Sequence, residues 1–210
     1  MNTIQFDQVL PHPLKDAQLT GVVWNTQLRL QKGERYLVHA DSGKGKSTML
    51  NIIYGTRKDY DGTVRYEDHT LPTNDSSLAE WRKNHLAYLF QDLRLFGNLT
   101  ALENIMLKPG CTFTQGEIES HARLLGVEQL LNRPCNKLSL GQQQRIAIIR
   151  AISQHFEWLL LDEPFSHLDA GNAAKALDLM HQRAQLFSAG IIATSLGDNS
   201  HFTGYNHLQL

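Results

Sequence analysis

Apolar and polar positions along the chain fall into two rhythms. Short apolar runs bounded by turn residues read as buried strands, and longer segments with an apolar residue every third or fourth position read as helices. The strand set is Ile4–Leu10, Val22–Leu30, Tyr36–Val38, Thr63–Tyr66, His85–Phe90, Trp158–Leu161, Ile191–Ser195 and His207–Leu210. Leu28 and Leu30 alternate with Gln27, Arg29 and Gln31, as on a strand with one wet face. Leu10-Pro11-His12-Pro13 reads as a loop, Lys32-Gly33-Glu34 as a turn, Asp61-Gly62 as a hairpin signal and Asn74–Ala79 as polar linker. From 93 to 152 the pattern turns helical. Thr100-Ala101-Leu102-Glu103 and Ser139-Leu140-Gly141-Gln142 are capping boxes, Thr114–Leu125 has helical spacing closed by Gly126, and Ser139–Ile152 is a third helix. A further helix spans Ala170–Phe187. The expected organisation is α/β, with a mostly parallel sheet built from 1–92 and 153–210 and a helical insertion at 93–152.

One junction in that pattern carries chemistry. Tyr36-Leu37-Val38 feeds Ala40-Asp41-Ser42-Gly43-Lys44-Gly45-Lys46-Ser47-Thr48, and Met49-Leu50-Asn51-Ile52-Ile53 follows as helix. Strand, glycine-rich loop and helix are the parts of a phosphate-binding loop. Gly43 and Gly45 let the backbone turn its N–H groups inward, and the helix start adds unpaired donors. Lys46 then reaches the β- and γ-phosphates, and the Ser47 hydroxyl suits Mg²⁺. The rule G-x-x-x-x-G-K-[ST] is met except at its first glycine, where Ala40 stands.

Composition narrows the setting without naming a reaction. With 20 basic and 21 acidic residues the net charge is −1, so no global basic field argues for nucleic acid. Cys111 and Cys135 are the only cysteines, lack metal-site spacing and point to a reducing cytoplasm. The Met1–Asp7 stretch shows no secretory pattern, and apolar runs such as Trp158–Leu161 are far too short to cross a bilayer. The histidines are scattered without helical pairing and read as surface or loop residues; Trp24, Trp81 and Trp158 read as core.

Trp158-Leu159-Leu160-Leu161-Asp162-Glu163 ends a buried strand in two carboxylates, at the sheet edge where open α/β folds bind ligands. Asp162 there suits Mg²⁺ through its water shell, and Glu163 suits the role of base toward an attacking water. Leu138-Ser139-Leu140-Gly141-Gln142-Gln143-Gln144-Arg145 adds a helix start with free N–H groups. Together these stretches strongly resemble the nucleotide-binding domain of ATP-binding-cassette (ABC) proteins. The resemblance covers essentially the whole chain and implies a single 1–210 domain: a phosphate-loop NTPase core with an N-terminal antiparallel β portion and an inserted α-helical subdomain. It also implies an ATPase that uses ATP and Mg²⁺, in which Ser139, Leu140, Gly141 and Gln142 face nucleotide held by a second cassette. Phe90-Gln91-Asp92 looks like the family's Q-loop, with Gln91 reaching Mg²⁺. Phe165-Ser166-His167-Leu168-Asp169 looks like its D-loop, with Ser166, Leu168 and Asp169 at dimer contacts. Phe90–Ile105 looks most like the lipoprotein-releasing, macrolide-exporting and cell-division subfamily.

Three departures from the family pattern bear on activity. Where the family places a γ-phosphate histidine, this chain has Ser195, and His201, six residues on, is too far along to replace it without a rearranged loop. Serine has one short rotor where histidine has two ring nitrogens, and loss of one positioned contact to a transition state costs ~10²–10³ in rate. The family's adenine-stacking aromatic is missing from Leu10–Leu14, which offers only His12. Ala40 and Leu140 stand for glycines.

The function expected is therefore the ATP-binding subunit of a transporter. It pairs as a homodimer and rests on a membrane permease at the cytoplasmic face, with catalysis assigned to Glu163, Lys46, Gln91 and Ser195. The alternative is a degenerate or regulatory non-transport cassette with slow hydrolysis. A GTPase is disfavoured because Asn136-Lys137-Leu138-Ser139 lacks the acid of the guanine motif.

Overall fold

The computed structural model describes the chain apart from residues 18–20, 41–42, 68, 73 and 196–199. Five parallel strands form its middle layer. They are β3 (Arg35–His39), β6 (Leu86–Leu89), β7 (Trp158–Asp162), β8 (Gly190–Ser195) and β9 (Asn206–Gln209), in the spatial order β6-β7-β8-β3-β9. Their near-continuous apolar sequences follow from burial on both faces. Alternate residues serve opposite cores: Leu37, Leu89, Leu159, Leu161 and Ala193 face one, while Tyr36, Val38, Tyr88, Leu160 and Ile192 face the other.

The first core is closed by α3 (Ala101–Met106), α4 (Gln115–Leu124), α5 (Leu140–Ile152) and α6 (Ala170–Leu186). Thr100, Thr114 and Ser139 open the first three of these with complete capping boxes, as the spacing predicts. The second core is closed by α1 (Lys46–Ile53) and by an antiparallel sheet of β1 (Thr3–Pro11), β2 (Gln27–Gln31), β4 (Tyr60–Tyr66) and β5 (His69–Thr70), ordered β2-β1-β4-β5.

Three local expectations are corrected. Residues 22–26 are turns and bends rather than strand, although Val23 and Trp24 are buried. The apolar run plugs the core without extending a ladder, and Asn25 takes a positive φ of 55° there. Asp61-Gly62 lies inside β4, not at a hairpin. The register of β1 against β4 shifts between Asp7 and Leu10, and Gly62 sits at φ 84° beside Gln8 at φ 52°. The positive φ that marks a turn in sequence serves a bulge here. A Cβ on Gly62 would fall 2.3 Å from the Gln8 carbonyl oxygen. The supposed linker opens α2 (Asp75–His85), with the Asn74 side chain accepting from Ser77 N–H at 2.8 Å. Only Leu78 of that helix is buried, so its polar face hid the period.

Candidate active site

The carboxyl ends of β3, β6, β7 and β8 lie along one edge of the parallel sheet, and the chemistry-bearing residues follow them directly. After β3 the chain enters the loop 40–45 and then α1. Gly43 and Gly45 take φ values of 80° and 95°, which L side chains rarely adopt. A Cβ at position 45 would also lie 3.0 Å from Leu14 Cδ1 and 3.3 Å from Trp24 Cζ2, so that loop is packed from behind as well as turned. Ala40 lies outside the left-handed region, and its carbonyl oxygen accepts from Lys46 Nζ at 2.6 Å. Alanine therefore fits where the motif has glycine. Lys46 is buried, Gly43 and Lys44 are exposed, and Thr48 accepts from Arg57 Nη1 at 3.1 Å. Asp41 and Ser42 lie outside the described residues.

Asp162, the last residue of β7, is 4% exposed and collects donors from three other elements. Ser47 Oγ donates to its Oδ1 at 3.1 Å, Thr194 Oγ1 to the same oxygen at 2.8 Å, and the Tyr88 hydroxyl to Oδ2 at 3.5 Å. Burial and the Asp162 charge push the Tyr88 phenol well above its ordinary value, which keeps it a donor. Glu163 sits just beyond the strand at φ 49°, in the left-handed region. Its N–H donates to Thr194 Oγ1 at 3.1 Å, and its Oε2 accepts from Gln91 Nε2 at 3.1 Å. Burial raises the Glu163 carboxyl, and the Asp162 charge raises it further; Lys46 and the Gln91 bond pull it partly back. That balance suits a carboxylate that must take up a proton.

Gln91 is exposed, and the two residues at 93 and 94 beyond it take positive φ values of 58° and 48°. Arg150 Nη1 donates to the Arg94 carbonyl at 2.6 Å and Nη2 to that of Leu93, tying this loop to α5. Ser47, Gln91 and Asp162 border one 340 Å³ cavity with Asn51, Asp92, Tyr88, Phe90 and Arg94; the oxygen donors among them suit a hard cation such as Mg²⁺, with the Arg94 guanidinium and the Phe90 ring on the same wall.

The start of α5 is different. Gln142 N–H donates to Ser139 Oγ at 3.3 Å and Ser139 N–H donates to Gln142 Oε1 at 2.9 Å, while Leu140 is 56% exposed. Gly141 lies against the segment after Glu163: a Cβ there would be 2.6 Å from the His167 carbonyl oxygen. Ser166 is exposed, Leu168 is half-buried, and Asp169 caps α6 by accepting from Asn172 N–H at 2.8 Å. His12 is engaged elsewhere, its Nε2 3.1 Å from Asp61 Oδ1, and Leu14 is the side chain of that turn that reaches Gly45. Ser195 ends β8 opposite His39.

Sequence reasoning missed three side chains that bond the residues of this edge. Tyr88 and Thr194 stand out only as polar residues at inward positions of apolar strands. Gln144, 1% exposed, donates to the Pro164 carbonyl at 2.7 Å and accepts from His167 N–H at 2.9 Å, locking α5 to the 164–167 turn. His201 borders a cavity whose lining also includes Glu163 and Ser195.

The family model of the ABC transporter matches residues 23–166. The chain belongs to the ABC transporter family. Among curated relatives of this ABC chain, the glucose import ATP-binding protein GlcV of Saccharolobus solfataricus is 34% identical over 73% of the chain and 45% of the relative. The thiamine import ATP-binding protein ThiQ of Salmonella paratyphi A is 37% identical over 73% and 65%. The chain thus spans about half to two thirds of these relatives' length. An ATP-binding cassette solved as a dimer in a post-hydrolysis state with ADP and Pi superposes with a TM-score of 0.81 at 28% identity, covering 99% of this chain and 94% of that one.

Proposed function

We propose that this chain is the ATP-binding and ATP-hydrolysing subunit of an ABC transporter, acting as a dimer on a membrane permease at the cytoplasmic face. The observation that carries the reading is the convergence of Lys46, Ser47, Gln91, Asp162 and Glu163 at one sheet edge, where the Thr194 hydroxyl donates to Asp162 and accepts from the Glu163 N–H. In this reading the loop 40–48 cradles the phosphates, and Lys46 exchanges the Ala40 carbonyl for phosphate oxygens. Ser47, Asp162 and Gln91 would hold Mg²⁺, which supplies charge neutralisation between the phosphates when bound. Glu163, oriented by Gln91, accepts the proton of a water that attacks the γ-phosphorus while the bond to the ADP oxygen breaks. Ser139–Gln142 of a second copy would close the site, and the helical part at 93–152 with the Gln91 loop would meet the permease. Among the described residues no helix is long and apolar enough to cross a membrane, and exposed Phe96, Met106 and Leu107 lie on that helical part. The resident oxygen donors and the glycine-lined loop support nucleotide and Mg²⁺ over any thiol or imidazole metal chemistry.

The test is Glu163→Gln. Turnover of ATP falls by ~10²-fold or more while ATP binding persists. A raised carboxyl destabilises the fold as pH climbs from its unfolded to its folded pKa, so the neutral amide leaves Tm unchanged or higher above that window. Turnover that survives the substitution overturns the role of Glu163.

A further inference from the structure

A separate cavity of about 240 Å³ lies between the segment after α1, strands β4 and β5, and α2. It shares no lining residue with the cavities beside Asp162 and Glu163. Its body is apolar: Val64 and Leu78 are buried, and Tyr60 and Leu71 are half-buried. Gly55 closes one side, since a Cβ there would meet Leu71 Cδ1 at 3.0 Å and Leu78 Cδ1 at 3.2 Å. That glycine is held by its carbonyl, which accepts from Arg82 Nη2 at 3.0 Å.

The charge on the wall has one sign. Arg57 and Lys58 line the cavity and no carboxylate does. The acids that follow in sequence are spent elsewhere: Asp59 accepts from Arg57 Nε at 2.9 Å and Nη2 at 3.0 Å, and Asp61 pairs with Lys15 at 2.7 Å. Lys58 is exposed, and its ammonium has no hydrogen bond or ion pair among the described residues. An apolar recess with an unmatched cation at its wall is complementary to a small molecule that joins an apolar body to one carboxylate, and it is too small for a folded partner. Arg57 also links this wall to the phosphate loop. Its Nη1 donates to Thr48 Oγ1 at 3.1 Å, in the first turn of α1 and next to Ser47.

We propose that this cavity is an effector site for a small organic carboxylate. The apolar body rests against Tyr60, Val64, Leu71 and Leu78, and the carboxylate takes Lys58 and Arg57. The Arg57 guanidinium is thereby drawn from Thr48, which loosens the phosphate loop and weakens ATP binding. The carboxylate site stands apart from the ATPase reading above; only its effect on nucleotide rests on that reading.

The test adds indole-3-acetate, with indole as its uncharged counterpart, to the full chain and follows protein chemical shifts. Indole-3-acetate binds with a Kd of ~0.1–1 mM, and indole at least about threefold more weakly. Thr70 is an exposed residue of β5 on the cavity wall, so Thr70→Trp fills the space and abolishes binding. Lys58→Ala weakens it about three- to fivefold, and both variants keep the wild-type Tm within about 2 °C. At saturating indole-3-acetate the wild-type Kd for ATP rises about fivefold, ATP weakens indole-3-acetate by the same factor, and Thr70→Trp shows neither effect. No binding by the wild type, equal binding of indole, or binding that survives both substitutions overturns the site. Binding as expected with an unmoved ATP affinity overturns the effector role. A chain that does not bind ATP even without the probe removes the ATPase reading and the effector role with it, whereas the titration still decides the carboxylate site.

Discussion

The two polar regions of the sheet edge are built on opposite plans. Around Asp162, hydrogen bonds cross between β7, β8, β6 and α1, joining residues as far apart in sequence as Ser47 and Asp162, and the carboxylate they share is buried. At the start of α5, Ser139 and Gln142 satisfy each other within one helical turn, and Leu140 faces outward. The first region is completed by folding a single chain. The second is a helix end whose capping bonds close within one turn and whose Leu140 side chain is exposed. Substitutions in the first therefore alter chemistry and stability together, whereas those at an outward-facing position of the second, such as Leu140, leave the fold's own bonds in place.

The largest effect that would sharpen this contrast is Asp162→Ala. Three donors lose one buried acceptor, and each orphaned group costs ~1–3 kcal/mol, so Tm falls by several degrees and ATP turnover drops by ~10²-fold or more. A variant that lost activity with an unchanged melting curve would show that Ser47, Thr194 and Tyr88 do not depend on the carboxylate. Next is Leu140→Glu. An acid in the first turn suits the helix dipole and replaces an exposed side chain, so Tm holds within about 2 °C. If the proposed dimer is correct, turnover falls by ~10-fold or more while ATP binding to the monomer does not change. A clear loss of stability would place Leu140 inside the fold's own network and dissolve the contrast.

How much of this was readable beforehand follows from the same division. The loop 40–48, the Trp158–Glu163 strand end and the capping boxes are local patterns, in which backbone conformation and chemistry are set within one turn or one strand. Their residues could be named in advance. Tyr88, Thr194 and Gln144 bond neighbours supplied by other elements, and a polar residue in an apolar run carries no mark of which group it will meet. Gly62 misled for a related reason: a positive φ is legible as glycine beside aspartate, but whether it makes a turn or a bulge depends on the partner strand. Helix α2 was hidden because only Leu78 of it is buried.

Gly141 lies where the two regions meet. A methyl group there would approach the His167 carbonyl oxygen to 2.6 Å, a backbone atom that Gln144 already holds in place through the His167 N–H. Gly141→Ala must part α5 from the 164–167 turn, so a loss of about 1–3 kcal/mol and a several-fold drop in turnover are expected. Denaturant unfolding checks the first and a steady-state assay the second. If stability falls with no change in turnover, the contact between the two regions is purely architectural, and the chemistry near Glu163 tolerates movement of the turn behind it.

The smallest effect serves as a control outside both regions. His181 on α6 lies 2.9 Å from the Tyr205 hydroxyl, and burial, with a lesser push from Arg35 and a small opposing pull from Asp178, lowers its pKa to about 4. The folded chain thus keeps the imidazole neutral while the unfolded chain protonates it near the ordinary value. Its contribution to stability is complete above about pH 6.5, is lost progressively as pH falls toward 4, and changes no further below that. His181→Gln retains a polar partner for Tyr205 but cannot titrate, so the fall in Tm between pH 7 and pH 5 shrinks by about 2–4 °C, a value set low because the ring is only half-buried. Turnover relative to wild type at pH 7 stays within about twofold, since the ring touches neither polar region. The sign decides the matter: a variant whose acid-side loss of Tm equals or exceeds that of wild type would mean that the folded chain does not hold His181 neutral, and acid sensitivity would then originate at other groups.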